Sequence, residues 1–330
     1  VTLTSCVNEP INPMVVNYDI VNEDLFKLMS RATDPDAPEP IDCIEFNYPF
    51  PLFVFDENEE YVDVLTMRDN VQFSTFLRNL PEDHFISLSY PISGTLFSGE
   101  LLEINNNEEL AEAIEACVKD QYQGNCNFLL KSCLWNVESV TGISEVFQGA
   151  TFQINDNAIA QLHLENEIYF GTWTTFYIGN ALHLNIHFLE NEAISDAWNF
   201  DWELSYVTPT NIQLTYNTNQ EALLRKDCTI NCELGIYEVC EEEATPGQAI
   251  FNLNNYTVCS YIPNTHDLVS PLQVTFYETE SDALLGVNEV SGTAYTNAEN
   301  PQLLYSRIVY LENEETLFVS EITIEAISCN

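Results

Sequence analysis

Basic side chains are scarce in this sequence: 9 lysines and arginines stand against 52 aspartates and glutamates in 330 residues, a formal net charge of −43. Nucleic-acid binding needs a cationic footprint to neutralise phosphates, and docking on an anionic leaflet needs a polybasic patch, so both partners are excluded. Glycine is also scarce, at 11 residues. Neither G-x-G-x-x-G nor G-x-x-x-x-G-K-[ST] occurs, which removes the common nucleotide cradles, and no G-x-S-x-G supplies a nucleophile elbow. Long apolar runs are missing as well; none approaches the roughly 20 residues of a membrane-spanning helix.

What the chain does have is burial capacity. Apolar residues make up 45% and aromatics 12%, enough to offset chain entropy, so the sequence is expected to fold. Only 18% of residues are charged. The surface must therefore be finished with Asn, Thr, Ser, Gln and Tyr, the composition of an extracellular β-protein. The acids form runs on loops, DENEE at 56–60, NNNEE at 105–109, EEE at 241–243 and ENEE at 312–315. Such a coat makes neighbouring copies repel unless salt or divalent cations screen it.

The 10 cysteines are even in number and read as a disulfide framework of an oxidising compartment. Cys43, Cys117, Cys126, Cys133, Cys228, Cys232, Cys240, Cys259 and Cys329 are the candidates. A zinc ribbon needs paired C-x2-C knuckles, and the closest spacing, Cys228-x3-Cys232, has no second pair. His183 and His187 sit four apart on an alternating segment, their Cα atoms roughly 13 Å apart. With His163 they are read as a polar outer face over an apolar core rather than as metal ligands. Asp34, Asp36 and Glu39 lie in the proline-rich stretch TDPDAPEP at 33–40, read as a solvated linker; weakly bound calcium is the one cofactor left open.

Four segments follow. Residues 1–40 are read as an amino-terminal strand and linker, Val1, Leu3 and Val7 alternating to one face. In 41–125, Ile44-Glu-Phe-Asn-Tyr-Pro-Phe superimposes on Ile86-Ser-Leu-Ser-Tyr-Pro-Ile, and each copy ends in a helical pattern, giving a ββαββα module with one shared sheet. Asn105–Asn107 with Glu108 and Glu109 cap the second helix. Cys43 and Cys117 bracket the unit. From 126 to 228 the pattern becomes almost pure alternation with turn residues at intervals of roughly 8–12 positions, as in an antiparallel barrel or sandwich: Leu-Trp-Asn-Val after Cys133, then segments starting at Thr151, Gln161, Gly171, Leu182, Trp202 and Asn211. Trp135, Trp173, Trp198 and Trp202 are read as plugs of its interior. Residues 229–330 form a second β-rich pattern, in which Arg307 is expected to pair with a neighbouring acid or cap the sheet face. The fold class is mainly β with one α+β module.

Several stretches resemble known families. Leu3-Thr4-Ser5-Cys6 resembles a bacterial lipobox, which makes Cys6 a lipidation candidate beside the strand reading. The Tyr-Pro strand with its NNEEL helix resembles repeats of Bacteroidota surface lipoproteins, and the order of tryptophan, GTW and LxLxIxF strands resembles their lipocalin-like domains. The series A-x-F-x-L, V-x-F-Y-x-T-x-x-D-A and A-Y-x-N-x-x-N-P-Q-x-x-Y-x-R resembles Ig-like repeats of gliding-motility adhesins exported by type IX secretion. That resemblance implies an Ig-like β-sandwich acting as a spacer, with no catalytic residue. The resulting expectation is a non-catalytic extracellular protein of the cell surface, with or without an outer-membrane anchor, that joins copies of itself or other surface proteins into a filament by strand addition. The alternative is a lipoprotein holding a small apolar ligand in its barrel.

Overall fold

A helix opens the described chain where the sequence reading places a strand and linker. The computed structural model describes residues 18–189, 191–230, 235–259 and 270–329, in two compact units, 1–122 and 123–330. Helix α1 (Glu23–Thr33) is capped by Asn22, whose side chain accepts from the Leu25 N–H, and carries Glu23 and Asp24 in its first turn and Arg31 in its last. That charge order suits the helix dipole. Leu25, Met29 and Ala32 form its buried stripe. The stretch after it is tied back rather than loose: Arg31 Nε donates to the Glu39 carbonyl at 2.9 Å, and Ile41 N to the Arg31 carbonyl at 3.1 Å.

The repeat follows as β1 (Ile44–Asn47), β2 (Phe50–Phe55), β3 (Tyr61–Met67) and α2 (Asn70–Asn79), then β4 (Phe85–Leu88), β5 (Ile92–Leu96), β6 (Leu101–Ile104) and α3 (Asn107–Lys131). Proline lacks the N–H a ladder needs, and Tyr48-Pro49 and Tyr90-Pro91, both cis, divide the first strand of each copy in two. The copies exchange strands. One sheet has the order β1-β5-β6 and the other β3-β2-β4, which corrects the expectation of a single shared sheet. Asn47 stands opposite Ser93, and Leu52 opposite Leu88, so one antiparallel register runs through both sheets. The tyrosines have matching roles: Tyr48 donates to Asn70 Oδ1 at 2.7 Å and Tyr90 to Asn107 Oδ1 at 2.6 Å, each holding the first residue of its copy's helix. At α3, Glu109 N donates to Asn106 Oδ1 and the Glu109 carboxylate accepts from Asn105 N, a reciprocal cap.

The second unit contains a closed eight-stranded antiparallel barrel. Its strands are β7 (Leu134–Thr141), β8 (Thr151–Ile154), β9 (Ile159–Leu164), β10 (Glu167–Ile178), β11 (Ala181–Phe188), β12 (Asp201–Val207), β13 (Asn211–Tyr216) and β14 (Gln220–Asp227). Each pairs with the next, and β14 returns to β7. Gly171 sits where β10 and β11 approach: a Cβ there would lie 2.5 Å from the His187 carbonyl oxygen. Helix α4 (Glu192–Trp198) interrupts the meander between β11 and β12.

The remaining strands are β15 (Ile236–Cys240), β16 (Ile250–Phe251), β17 (Leu272–Tyr277), β18 (Tyr295–Thr296), β19 (Gln302–Tyr310) and β20 (Thr316–Ile327), with α5 (Glu280–Leu285) after β17. β17, β19, β20 and β15 form a sheet in that order, with β15 parallel to β20. The sheet grows directly off the barrel, because Ile168 of β10 pairs with Leu272 of β17. Ile168 and Phe170 belong to the same apolar core as Phe251, Leu253, Phe276 and Ile324. One strand of the barrel thus serves two cores.

Candidate functional site

No cluster of three or more His, Cys, Asp or Glu suited to a metal occurs among the described residues. The chemistry that stands out is the cystines. Cys43 bonds to Cys117, Cys133 to Cys228 and Cys240 to Cys329, with Cα atoms 5.7, 5.2 and 5.4 Å apart. Each spans one structural module. The first joins the residue before β1 to the middle of α3; the second joins the residue before β7 to the residue after β14, at the barrel seam; the third joins the end of β15 to the end of β20. Cys259 is also disulfide-bonded. Cys126, proposed from sequence as a disulfide residue, keeps its thiol and is buried with Leu130 and Trp135. Its flanks lie inside α3, where its side chain packs into the core. Cys6, Cys232, Val1, Leu3 and Val7 lie outside the described residues.

The barrel interior is packed with aromatic rings. Trp135, Trp198 and Trp202 are 0% exposed, and Trp198 meets Phe147, Phe152 and Trp202 with ring centroids 5.8, 4.7 and 5.7 Å apart. Trp135 Nε1 donates to the Leu130 carbonyl at 2.9 Å and Trp202 Nε1 to that of Trp198 at 3.0 Å. A described groove of about 370 Å³ on the barrel is lined by Glu138, Thr210, Asn211, Arg225 and Lys226 rather than by these rings. Asp34 and Glu39 are engaged by arginines, Asp34 with Arg78 and Glu39 with Arg31, both at 3.6 Å.

Two of the three barrel histidines stay at the surface: His183 Nδ1 lies 3.1 Å from the Asp201 carbonyl oxygen, and His187 is exposed. His163 departs from the outer-face reading. It does point out of the barrel wall, but the segment Leu253–Cys259 covers it, and its Nδ1 meets Thr257 Oγ1 at 3.0 Å. Burial disfavours the imidazolium and lowers its pKa from 6.5 to about 3. Between those values the unfolded chain binds a proton that the folded one does not. Stability is therefore full above about pH 6.5 and is lost as pH falls toward 3. His163→Gln removes this term, so from pH 7 to 5 the wild type should lose about 2 kcal/mol more than the variant in denaturant titrations; parallel curves would contradict the burial argument.

The motif around Tyr295 resolves into a fastening of loops. Tyr295 donates to Glu278 Oε1 at 2.8 Å and accepts from Gln302 Nε2 at 2.7 Å. Asn297 Oδ1 accepts from Ala249 N, and Asn300 exchanges two hydrogen bonds with the Ala326 backbone, all at 2.8 Å. Buried backbone groups are satisfied this way. Arg307 pairs with no carboxylate within 4.0 Å among the described residues. Its Nε donates to Thr316 Oγ1 at 3.0 Å and one terminal nitrogen to the Glu314 carbonyl at 3.3 Å. The guanidinium lies over Gly286, the left-handed residue that ends α5, where a Cβ would come within 3.0 Å of it.

Sequence reasoning did not single out the edge strand β3. Among the described residues it pairs only with β2, and Tyr61, Val62 and Val64 are exposed at 53, 49 and 45%. An apolar edge with unpaired backbone groups is a template for a further strand. The alternation of Val62 and Val64 about Asp63 was its visible signal.

Residues 236–329 match a family model described as the Flavobacterium inter-domain disulphide bond domain. None of the curated proteins compared matches the chain. Among solved structures, the β chain of DNA polymerase III from Streptococcus pneumoniae TIGR4 aligns at 11% identity over 91% of this chain and 96% of its own, with a TM-score of 0.14. That likeness carries no argument. The family match and the three cystines of the described residues are features of an extracellular protein.

Proposed function

We propose that this protein is a non-catalytic structural component of the cell surface, whose copies join one another, or join other surface proteins, into a filament by strand addition. The observation that carries the reading is the β3 edge, an exposed apolar strand on a chain whose charge of −43 otherwise opposes self-association. An added strand contributes directional backbone hydrogen bonds without requiring charge complementarity. A segment with few charges suits the donor role, and residues 1–17 carry one acid, Glu9. The modular staples suit a structural role too, since each module is closed on itself. Deleting residues 1–17 and imaging the surface material tests the proposal. Loss or shortening of filaments is expected; filaments of unchanged length would overturn strand donation by this segment.

A further inference from the structure

We propose that the three cystines with both partners among the described residues act as tension-carrying staples in series, which let the stretch from residue 43 to residue 329 transmit tension while the modules between them are shielded from it. In sequence order, the bonds span 74, 95 and 89 residues, and each closes before the next begins. Along these three bonds, the covalent path from residue 43 to residue 329 therefore runs through backbone at 118–132 and 229–239 alone. Everything else is bypassed.

The geometry shows why the barrel needs this. Tension would enter at the start of β7 and leave at the end of β14. These are antiparallel neighbours with Leu134 opposite Asp227, so both loads act at the same end of one ladder. Its hydrogen bonds would then be strained one at a time, and the seam would peel open from Leu134 onward. Cys133 and Cys228 sit one residue beyond that pair and carry the load before the first hydrogen bond does. The third module is arranged differently. β15 is parallel to β20, from Ile236 opposite Thr323 to Cys240 opposite Ile327. A pull entering at Ile236 and leaving after Ile327 shears all of those bonds together, and Cys240–Cys329 locks the far end. Cys117 stands mid-helix in α3, so the first staple delivers load to the rest of that helix without passing through β1 to β6.

The cellular use of such a device rests on the surface-structural reading above; the mechanics do not, so imaging and force measurements can fail separately. The test is single-molecule stretching of the full chain held at its two ends. Oxidised wild type is expected to extend without releasing any module. Adding a thiol reductant under tension should then release steps of about 25, 32 and 30 nm, the contour of the closed loops at roughly 3.4 Å per residue. In oxidised Cys133→Ser/Cys228→Ser protein, the step of about 32 nm should appear without reductant and at low force. Wild type that releases these lengths while oxidised, or that releases none after reduction, would overturn the proposal.

Discussion

Replacing Cys133 and Cys228 together by serine is expected to lower the melting midpoint of the barrel by about 10–15 °C. The bond closes a loop of 95 residues, and holding so long a loop shut in the unfolded chain is worth about 4–5 kcal/mol on the chain-entropy account. It also lies at the seam. β14 is the strand that turns an open meander into a closed barrel, and its pairing with β7 carries a bulge between Leu223 and Leu224. Without the cystine, the seam's last pair, Leu134 with Asp227, is free to fray. Fluorescence follows this module alone, because Trp135, Trp173, Trp198 and Trp202 all lie between the two cysteines. Wild type in reductant should melt with the variant, and a variant within about 2 °C of oxidised wild type would mean that the seam holds without its staple.

That closing strand also marks one limit of sequence reading. Strands such as Thr151–Ile154 and Leu182–Phe188 alternate cleanly and are legible as barrel strands. Gln220–Asp227 keeps its period of two, with Ala222 and Leu224 buried, but Leu223 between them makes an apolar run that hides the alternation, and the bulge it pairs with falls on β7, where Glu138 is the extra residue between Val137 and Ser139. Helix α1 was legible in principle: Asn22, the acids after it and the spacing of Leu25, Met29 and Ala32 are a capped amphipathic helix, but the proline-rich stretch behind it directs attention to a linker. The duplicated Tyr-Pro strands were readable, whereas their exchange between two sheets depends on long-range pairing that similarity between copies does not encode. His163 fails for a related reason. Local alternation correctly points it out of the barrel, and only a segment about ninety residues downstream decides that the outside is covered. The edge position of β3 is not legible in the sequence, because exposure of its valines depends on which strand is last in the sheet.

The barrel's interior supplies the second large effect. Trp135→Ala should cost about 3–5 kcal/mol, read as a shift in denaturant midpoint from the three remaining tryptophans. Trp135 is fully buried, stands opposite Phe152 across the β7–β8 ladder and donates its indole N–H to the carbonyl of Leu130. Truncation therefore opens a void and leaves a buried acceptor unpaired. Trp135→Phe keeps most of the ring and loses the donor, so it should cost less, about 1–2 kcal/mol. The void also separates a filled barrel from a carrier. Added indole should raise the midpoint of Trp135→Ala by occupying the vacated space, as small aromatics enter engineered apolar cavities. The same indole should leave wild type unchanged, because Trp135, Trp198, Trp202 and Phe152 already fill the interior. Wild type that gained as much as the variant would show space beside those rings and would restore the reading of the barrel as a holder of small apolar ligands.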